Sequence, residues 1–351
     1  MTGTLRLAAV QMHWRAADYA DGATFAARVV DLARQAAAGA AGPVLVGFPE
    51  LVGLPLLATA AGVADRLEEG LAPALFGWAA RRPGRWLASA WRHRVGPLPA
   101  LVAELAPAAF ALQRDAFAAA ARAAGATVVA GSAFLPTVAF EAARGLHVVD
   151  ARVRNVALVF VPNGALVGRA AKAYLTAGAE RRVGLTAGRV EDLPVLPGAA
   201  GRLAVAVCLD GWYHHVLERF DGRGAEVLVQ PSANDAAWHR PWPPDPTRTE
   251  EDAWLRSGLR AGLQGRASLR YGVNPMLVGD LAPLAPRGRS AIVANADLVP
   301  GAGLPGWGPG LLALAPDDVS EAVVTADVPL PPSLGAGEAV GGATAKAASG
   351  R

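Results

Sequence analysis

The chain has 351 residues, 52% hydrophobic and 18% charged, with a formal net charge of +3. That composition can bury a substantial core and excludes a disordered polyelectrolyte. Charge so small and so dispersed leaves no nucleic-acid footprint, and the single cysteine, Cys208, excludes an intramolecular disulfide.

The elements read as alternating strands and helices. Leu5–Gln11 is a first strand, followed by a helix near Ala23–Ala38 with Phe25, Val29, Leu32 and Ala33 on one face. A second strand, Val44–Phe48, ends at Pro49-Glu50. A helix at about Ala109–Ala124, stopped by Gly125, leads into a strand at Thr127–Gly131. Leu146–Val149 and Asn155–Val161 read as a hairpin or meander. Leu203–Val207 precedes Cys208, then a helix near Tyr213–Asp221 and a strand at Ala225–Gln230. A helix near Glu250–Leu269 and strands at Pro275–Val278, Ser290–Val293 and Ala322–Ala326 complete the pattern. Strands alternating with helices predict an α/β fold with helices on the outer faces, and the hairpin predicts mixed sheets. Residues 1–331 form the expected domain; the Gly/Ala-rich 332–351 read as a flexible tail.

Residues 53–108 are long for a connection and read as an insertion with helices of its own near Val63–Leu71 and Leu98–Ala106. Trp78, Trp86 and Trp91 are mixed there with Arg81, Arg82, Arg85, Arg92 and Arg94. As a lid or dimer contact the insertion would narrow a pocket; its Trp/Arg mixture also suits an anionic membrane surface. No stretch of about 18 uncharged apolar residues appears. With a start that lacks a signal-peptide pattern, the expected location is the cytoplasm.

Three reactive side chains stand where strands end. Glu50 follows Val44–Pro49, Lys172 follows Asn155–Phe160 and the turn Pro162-Asn163-Gly164, and Cys208 follows Leu203–Val207. Catalytic groups in α/β sheets gather at strand ends. A carboxylate, an ammonium and a thiol so placed form a candidate base, oxyanion clamp and nucleophile. The only other lysine is Lys346, so Lys172 stands out in a chain that otherwise uses arginine. Each residue alone also has a plain reading: an inert buried thiol, a capping carboxylate, a surface lysine.

Taken in order, these segments resemble the nitrilase, or carbon–nitrogen hydrolase, superfamily over nearly the whole chain. The resemblance rests on Leu7-Ala8-Ala9-Val10-Gln11-Met12, Gly47-Phe48-Pro49-Glu50, Arg154–Ala157 through Lys172-Ala173-Tyr174-Leu175, Val207-Cys208-Leu209-Asp210, and Gly288-Arg289-Ser290-Ala291-Ile292. It implies a four-layer αββα sandwich, a homodimer or larger homo-oligomer, no metal or organic cofactor, and a thioester intermediate on Cys208. It implies Glu50 as general base and Lys172 with the Leu209 N–H as oxyanion donors. Glu180, eight residues past Lys172, matches a second glutamate that positions the lysine or substrate.

Cys208-Leu209-Asp210-Gly211-Trp212-Tyr213 is closer to amidase and carbamoylase branches than to the Cys-Trp-Glu of true nitrilases. The resemblance therefore implies a small amide, N-carbamoyl amine or nitrile as substrate, met by Leu209, Trp212 and Tyr174. The loop Trp238–Trp242 is expected at the pocket mouth. His214-His215 replace the Pro-Glu usual in those branches, and surface or core histidines are a better reading than metal ligands. A nitrilase or acyl-transferring relative using the same thioester, and a non-catalytic protein of this fold, are the alternatives.

Overall fold

A computed structural model of the protein describes residues 3–176, 180–280 and 284–335. Its strands, in chain order, are β1 (Thr4–His13), β2 (Val44–Gly47), β3 (Thr127–Glu141), β4 (Gly145–Phe160), β5 (Leu166–Ala171), β6 (Val195–Gly198), β7 (Gly201–Val205) and β8 (Val227–Val229). There follow β9 (Pro241–Trp242), β10 (Asp245–Thr249), β11 (Tyr271–Asn274), β12 (Leu277–Val278), β13 (Ala291–Ala294), β14 (Leu311–Leu314) and β15 (Ala322–Pro329). Helices that matter below are α1 (Gly22–Ala37), α2 (Leu56–Ala61), α3 (Leu71–Arg81), α4 (Pro83–His93), α5 (Pro97–Ala124) and α6 (His214–Gly222).

The period-2 alternation of β1 builds the layers. Ala8, Val10 and Met12 pack toward α1 and α5 with Phe25, Val29 and Phe117. Leu5, Leu7 and Ala9 point the other way, into a core shared with Val205, Val229 and Val273 of a second sheet. The first sheet runs β12-β1-β2-β3-β4-β5, with β15 also paired to β1; the second runs β14-β13-β11-β8-β7-β6. Both are mixed: β12–β1, β1–β2, β2–β3, β7–β8 and β8–β11 are parallel, and β1–β15, β3–β4, β4–β5, β6–β7, β11–β13 and β13–β14 are antiparallel. On the far face of the second sheet lie α6 and the helical run from Glu250 to Leu263. The order is helix, sheet, sheet, helix: the four-layer αββα sandwich. Gly47 permits the two sheets to approach, since a Cβ there would lie 3.0 Å from Val229 and 3.2 Å from Pro275.

Several elements differ from the sequence reading. The expected pair of central strands is one continuous β4, hairpinned with the long β3. The two helices expected at 98–106 and 109–124 are one helix, α5, which runs through Pro107 at the loss of one backbone hydrogen bond. The helix expected at 63–71 is a tight 3-10 turn, Ala64–Glu69, between α2 and α3. The helix expected over 250–269 breaks into Glu250–Asp252, a π turn at Ala253–Ser257, and Leu259–Leu263. Gly258 marks that break; a Cβ there would lie 2.7 Å from the Trp254 carbonyl and 3.4 Å from Trp212. Of the expected tail, Pro332–Gly335 form a helical turn, where Ser333 N donates to Glu226 at 3.0 Å; residues 336–351 lie outside the described residues.

Candidate active site

Glu50, Lys172 and Cys208 come from three different segments and meet at one cavity of about 630 Å³ between the C-terminal ends of the two sheets. Each is held by the backbone in a way the sequence explains.

Glu50 follows β2 in a tight turn. The Leu51 N–H donates to Ser132 Oγ at 3.0 Å, and Gly53 N–H donates to the Ser132 carbonyl. Gly131 lets this turn lie against β3: its φ is +56°, and a Cβ there would stand 2.0 Å from the Pro49 carbonyl. Glu50 is 2% exposed. Its Oε1 accepts Lys172 Nζ at 2.8 Å and Asn155 Nδ2 at 2.8 Å; its Oε2 accepts Ala233 N–H at 3.0 Å.

Lys172 is also 2% exposed, and its Nζ lies 2.8 Å from Glu50 and 2.9 Å from Glu180 Oε2. Asn155 Nδ2 donates to Glu180 Oε1 at 2.8 Å as well as to Glu50, so one amide bridges both carboxylates. Burial disfavours the Lys172 ammonium, but Glu50, Cys208 and Glu180 outweigh it and raise its pKa. Lys172 is therefore a fixed positive charge, unsuited to giving up a proton at neutral pH.

Cys208 begins a 3-10 turn, Cys208–Trp212, with φ of +49°, a conformation that ordinary side chains adopt at a cost of order 1–3 kcal/mol. The strain is held by Cys208 N–H donating to Pro231 O at 2.8 Å and Gln230 Nε2 donating to Cys208 O at 2.7 Å. Gly211 makes room for that glutamine, since a Cβ there would lie 2.5 Å from its amide. The elbow places the thiol on the cavity that Glu50 and Lys172 also line. Burial and the Glu50 charge push the thiol pKa up, with Lys172 opposing. Burial likewise raises the Glu50 pKa against the pull of Lys172. The resting site therefore holds a protonated thiol beside a carboxyl poised to take its proton. Leu209 follows in the first turn, where helical N–H groups lack an intrahelical acceptor, and it lines the cavity.

Of the expected substrate contacts, Leu209 and Trp212 line the cavity, and so does Trp242 of the 238–242 loop. Tyr174 does not. Its ring stacks on Tyr213 with centroids 3.8 Å apart and its hydroxyl meets His215 Nε2 at 2.6 Å, so Tyr213 presents the face that Tyr174 was expected to present. Trp238 is buried in the core. His214 pairs with Glu218 at 3.2 Å, and neither His214 nor His215 lines the cavity. Among the described residues no three His, Cys, Asp or Glu side chains converge as a metal site, and none of 53–108 lines this cavity, so the insertion does not narrow it as expected: its lining passes from Leu51 to Lys172.

Four residues of the site escaped the sequence reading. Asn155 was legible as a polar residue inside an apolar strand, a position that demands a partner. Asp210 sits in the quoted cysteine segment without an assigned role; it accepts the N–H groups of Ala173 and Tyr174. Glu250 and Trp254 also line the cavity; Trp254 lies in the π turn, which no periodicity announces.

The carbon–nitrogen hydrolase family model matches residues 6–258. No curated protein sequence matches the chain. Among solved structures, the chain is similar to the amidase from Nesterenkonia sp. AN1. A form of it carrying the acetamide moiety of fluoroacetamide on its active-site cysteine is 18% identical, with a TM-score of 0.58 over 93% of this chain and 91% of that one. A form in complex with butyramide is 18% identical, with a TM-score of 0.58 over 93% and 92%. The amidase itself is 17% identical, with a TM-score of 0.56 over 94% and 92%. These likenesses establish the same fold, and the match of the family model over most of the chain shows that it belongs to the carbon–nitrogen hydrolase family.

Proposed function

We propose that this hydrolase cleaves the C–N bond of a small amide or N-carbamoyl amine through a thioester on Cys208. The observation that carries the reading is the convergence of a buried carboxyl, a buried ammonium and a strained thiol at one cavity, with Lys172 Nζ 2.8 Å from Glu50.

Glu50 takes the thiol proton as Sγ attacks the substrate carbonyl carbon. The carbonyl oxygen gains negative charge, which Lys172 Nζ and the Leu209 N–H stabilise; removing one such donor typically costs about 2.7–4 kcal/mol of barrier. Collapse breaks the C–N bond, and Glu50 returns the proton to the departing ammonia or amine. Glu50 then takes a proton from water as its oxygen attacks the thioester, and the thiol leaves with that proton restored. Glu180 and Asn155 position Lys172 and Glu50 by their shared hydrogen bonds. In the amidase from Nesterenkonia sp. the active-site cysteine carries an acetamide adduct, which supports the assignment of Cys208 by analogy of fold.

The test is ammonia release from a panel of amides, N-carbamoyl amines and nitriles, comparing the native chain with Cys208→Ala. Release by the native chain that vanishes in the variant is expected. Equal release from both would sink the thioester route.

A further inference from the structure

The cavity over Cys208 is acidic in a chain that is net positive. Glu50, Glu180, Asp235 and Glu250 line it against the single cation Lys172, and no arginine lines it among the described residues. Lys172 is already committed to Glu50 and Glu180, at 2.8 and 2.9 Å. Two carboxylates remain. Asp235 is exposed at the mouth and accepts the Ala285 N–H at 2.8 Å. Glu250 is different: it is 8% exposed, and one of its oxygens accepts Trp254 Nε1 at 3.1 Å. Its neighbours in sequence are neutralised, Glu251 by Arg289 at 3.1 Å and Asp252 by Arg256 at 3.1 Å. Glu250 has no cation within ion-pair distance among the described residues.

A nearly buried carboxylate on a cavity walled mainly by apolar groups is costly unless something pairs with it. Three tryptophans stand beside it. Trp212 and Trp242 are stacked with centroids 6.1 Å apart, and Trp254 meets Trp212 edge-on at 5.1 Å. Indole faces attract cations within about 6 Å, most strongly where water is excluded. Indole walls with one unpaired carboxylate match an ammonium, and they repel an acidic arm. The cavity's volume of about 630 Å³ leaves room for an arm beyond the reacting carbonyl.

The geometry points to a cation subsite: Glu250 with Trp212, Trp242 and Trp254 holds a protonated amine at the far end of the substrate, so the preferred substrates are amides or carbamoyl amines carrying a terminal ammonium. This rests on the assignment of Cys208 as the acylated nucleophile.

The deciding experiment compares two amides of equal length, aminovaleramide, which ends in an ammonium, and hexanamide, which ends in a methyl, on the native chain and on Glu250→Gln. The native chain should favour aminovaleramide in kcat/KM by about tenfold or more, and the Gln variant should lose most of that ratio, chiefly through KM. A native ratio near one, or a ratio unchanged in the variant, overturns the subsite while leaving the thioester reading intact. Turnover of neither amide, in a native chain that also releases no ammonia from any member of the wider panel, overturns both. Should the variant fail to fold, the native chain still decides: pentylamine at neutral pH should protect Cys208 from iodoacetamide and pentanol should not. Equal protection, or none by either, counts against the subsite.

Discussion

The Asp210 carboxylate accepts the backbone N–H of Tyr174 at 2.7 Å, which ties the turn carrying Cys208 to the segment carrying Lys172. The same carboxylate accepts the Ala173 N–H at 2.9 Å. Asp210→Ala strands both donors, at about 1–3 kcal/mol for each buried group left unsatisfied. It should lower both the unfolding free energy and kcat, because the oxyanion clamp loses its tether to the nucleophile. Burial pushes the Asp210 pKa up from 3.8 to about 7 against the pull of these N–H donors. The folded state therefore holds this proton more tightly than the unfolded chain. Its contribution to stability is complete below about pH 4 and is lost as pH rises through 7. Asp210→Asn, which cannot ionise, should flatten that slope. Denaturant unfolding of both chains at several pH values measures it; parallel curves would refute the assignment.

Lys172→Met removes the ammonium that pairs with two buried carboxylates, Glu50 and Glu180. Breaking a buried ion pair by deleting one partner typically costs about 3–5 kcal/mol. Without the ammonium, Glu50 loses the charge that opposes its burial, so its pKa, already raised in the native chain, rises further above the unfolded value. The deficit relative to the native chain should be smallest in acid and should grow as pH rises through the carboxylate range toward neutrality. Thermal unfolding across pH reads this out, and a deficit that shrinks toward neutral pH would be the wrong sign.

Glu50→Gln separates thiol reactivity from turnover. Burial and the Glu50 charge raise the Cys208 pKa and Lys172 lowers it, so neutralising Glu50 removes one of the causes that keep the thiol protonated. The variant's thiol should react faster with iodoacetamide at pH 7 than the native thiol, while kcat/KM falls about 10²–10⁴-fold for want of a base. In the native chain the working form of Glu50 is the carboxylate, and its pKa is raised by burial. The acid limb of kcat/KM should therefore lie above the ordinary glutamate value of about 4.3. A kcat/KM in the variant equal to the native value would count against Glu50 as the base.

The sequence carries the sandwich because alternation in β1 and the apolar runs of β2, β7 and β8 mark strands buried on both faces. It carries Glu50 and Cys208 because each ends such a run, and Lys172 because it follows the strand and turn after Asn155–Phe160 in a chain with one other lysine. What it hides depends on turns. Tyr174 and Tyr213 are both aromatic neighbours of the motif, and only the stacking between them decides which one faces the cavity. Thr249-Glu250-Glu251-Asp252 reads as an ordinary acidic helix start. Glu250 nonetheless lines the cavity, its N–H bonded to the Arg240 carbonyl, while Glu251 and Asp252 pair with Arg289 and Arg256. The two helices expected on either side of Pro107 are one, because α5 packs along α1 and β3.

Gly131 and Gly125 offer a matched test of how Glu50 is positioned. Their φ values are +56° and +59°, so replacing either by alanine incurs the same left-handed penalty, about 1–2 kcal/mol. At Gly125, which ends α5, a Cβ meets nothing within 4 Å. At Gly131 it would stand 2.0 Å from the Pro49 carbonyl and 2.6 Å from a Val52 methyl. Gly125→Ala should therefore lose only the conformational term and leave kcat near the native value. Gly131→Ala should lose more stability and, because the obstructed carbonyl belongs to the peptide leading into Glu50, should depress kcat well beyond any change in KM. Displacing a catalytic group by about 1 Å can cost 10²-fold. Equal losses of stability and activity in the two variants would show that the approach of β3 to the Pro49-Glu50 peptide does not set the base in place.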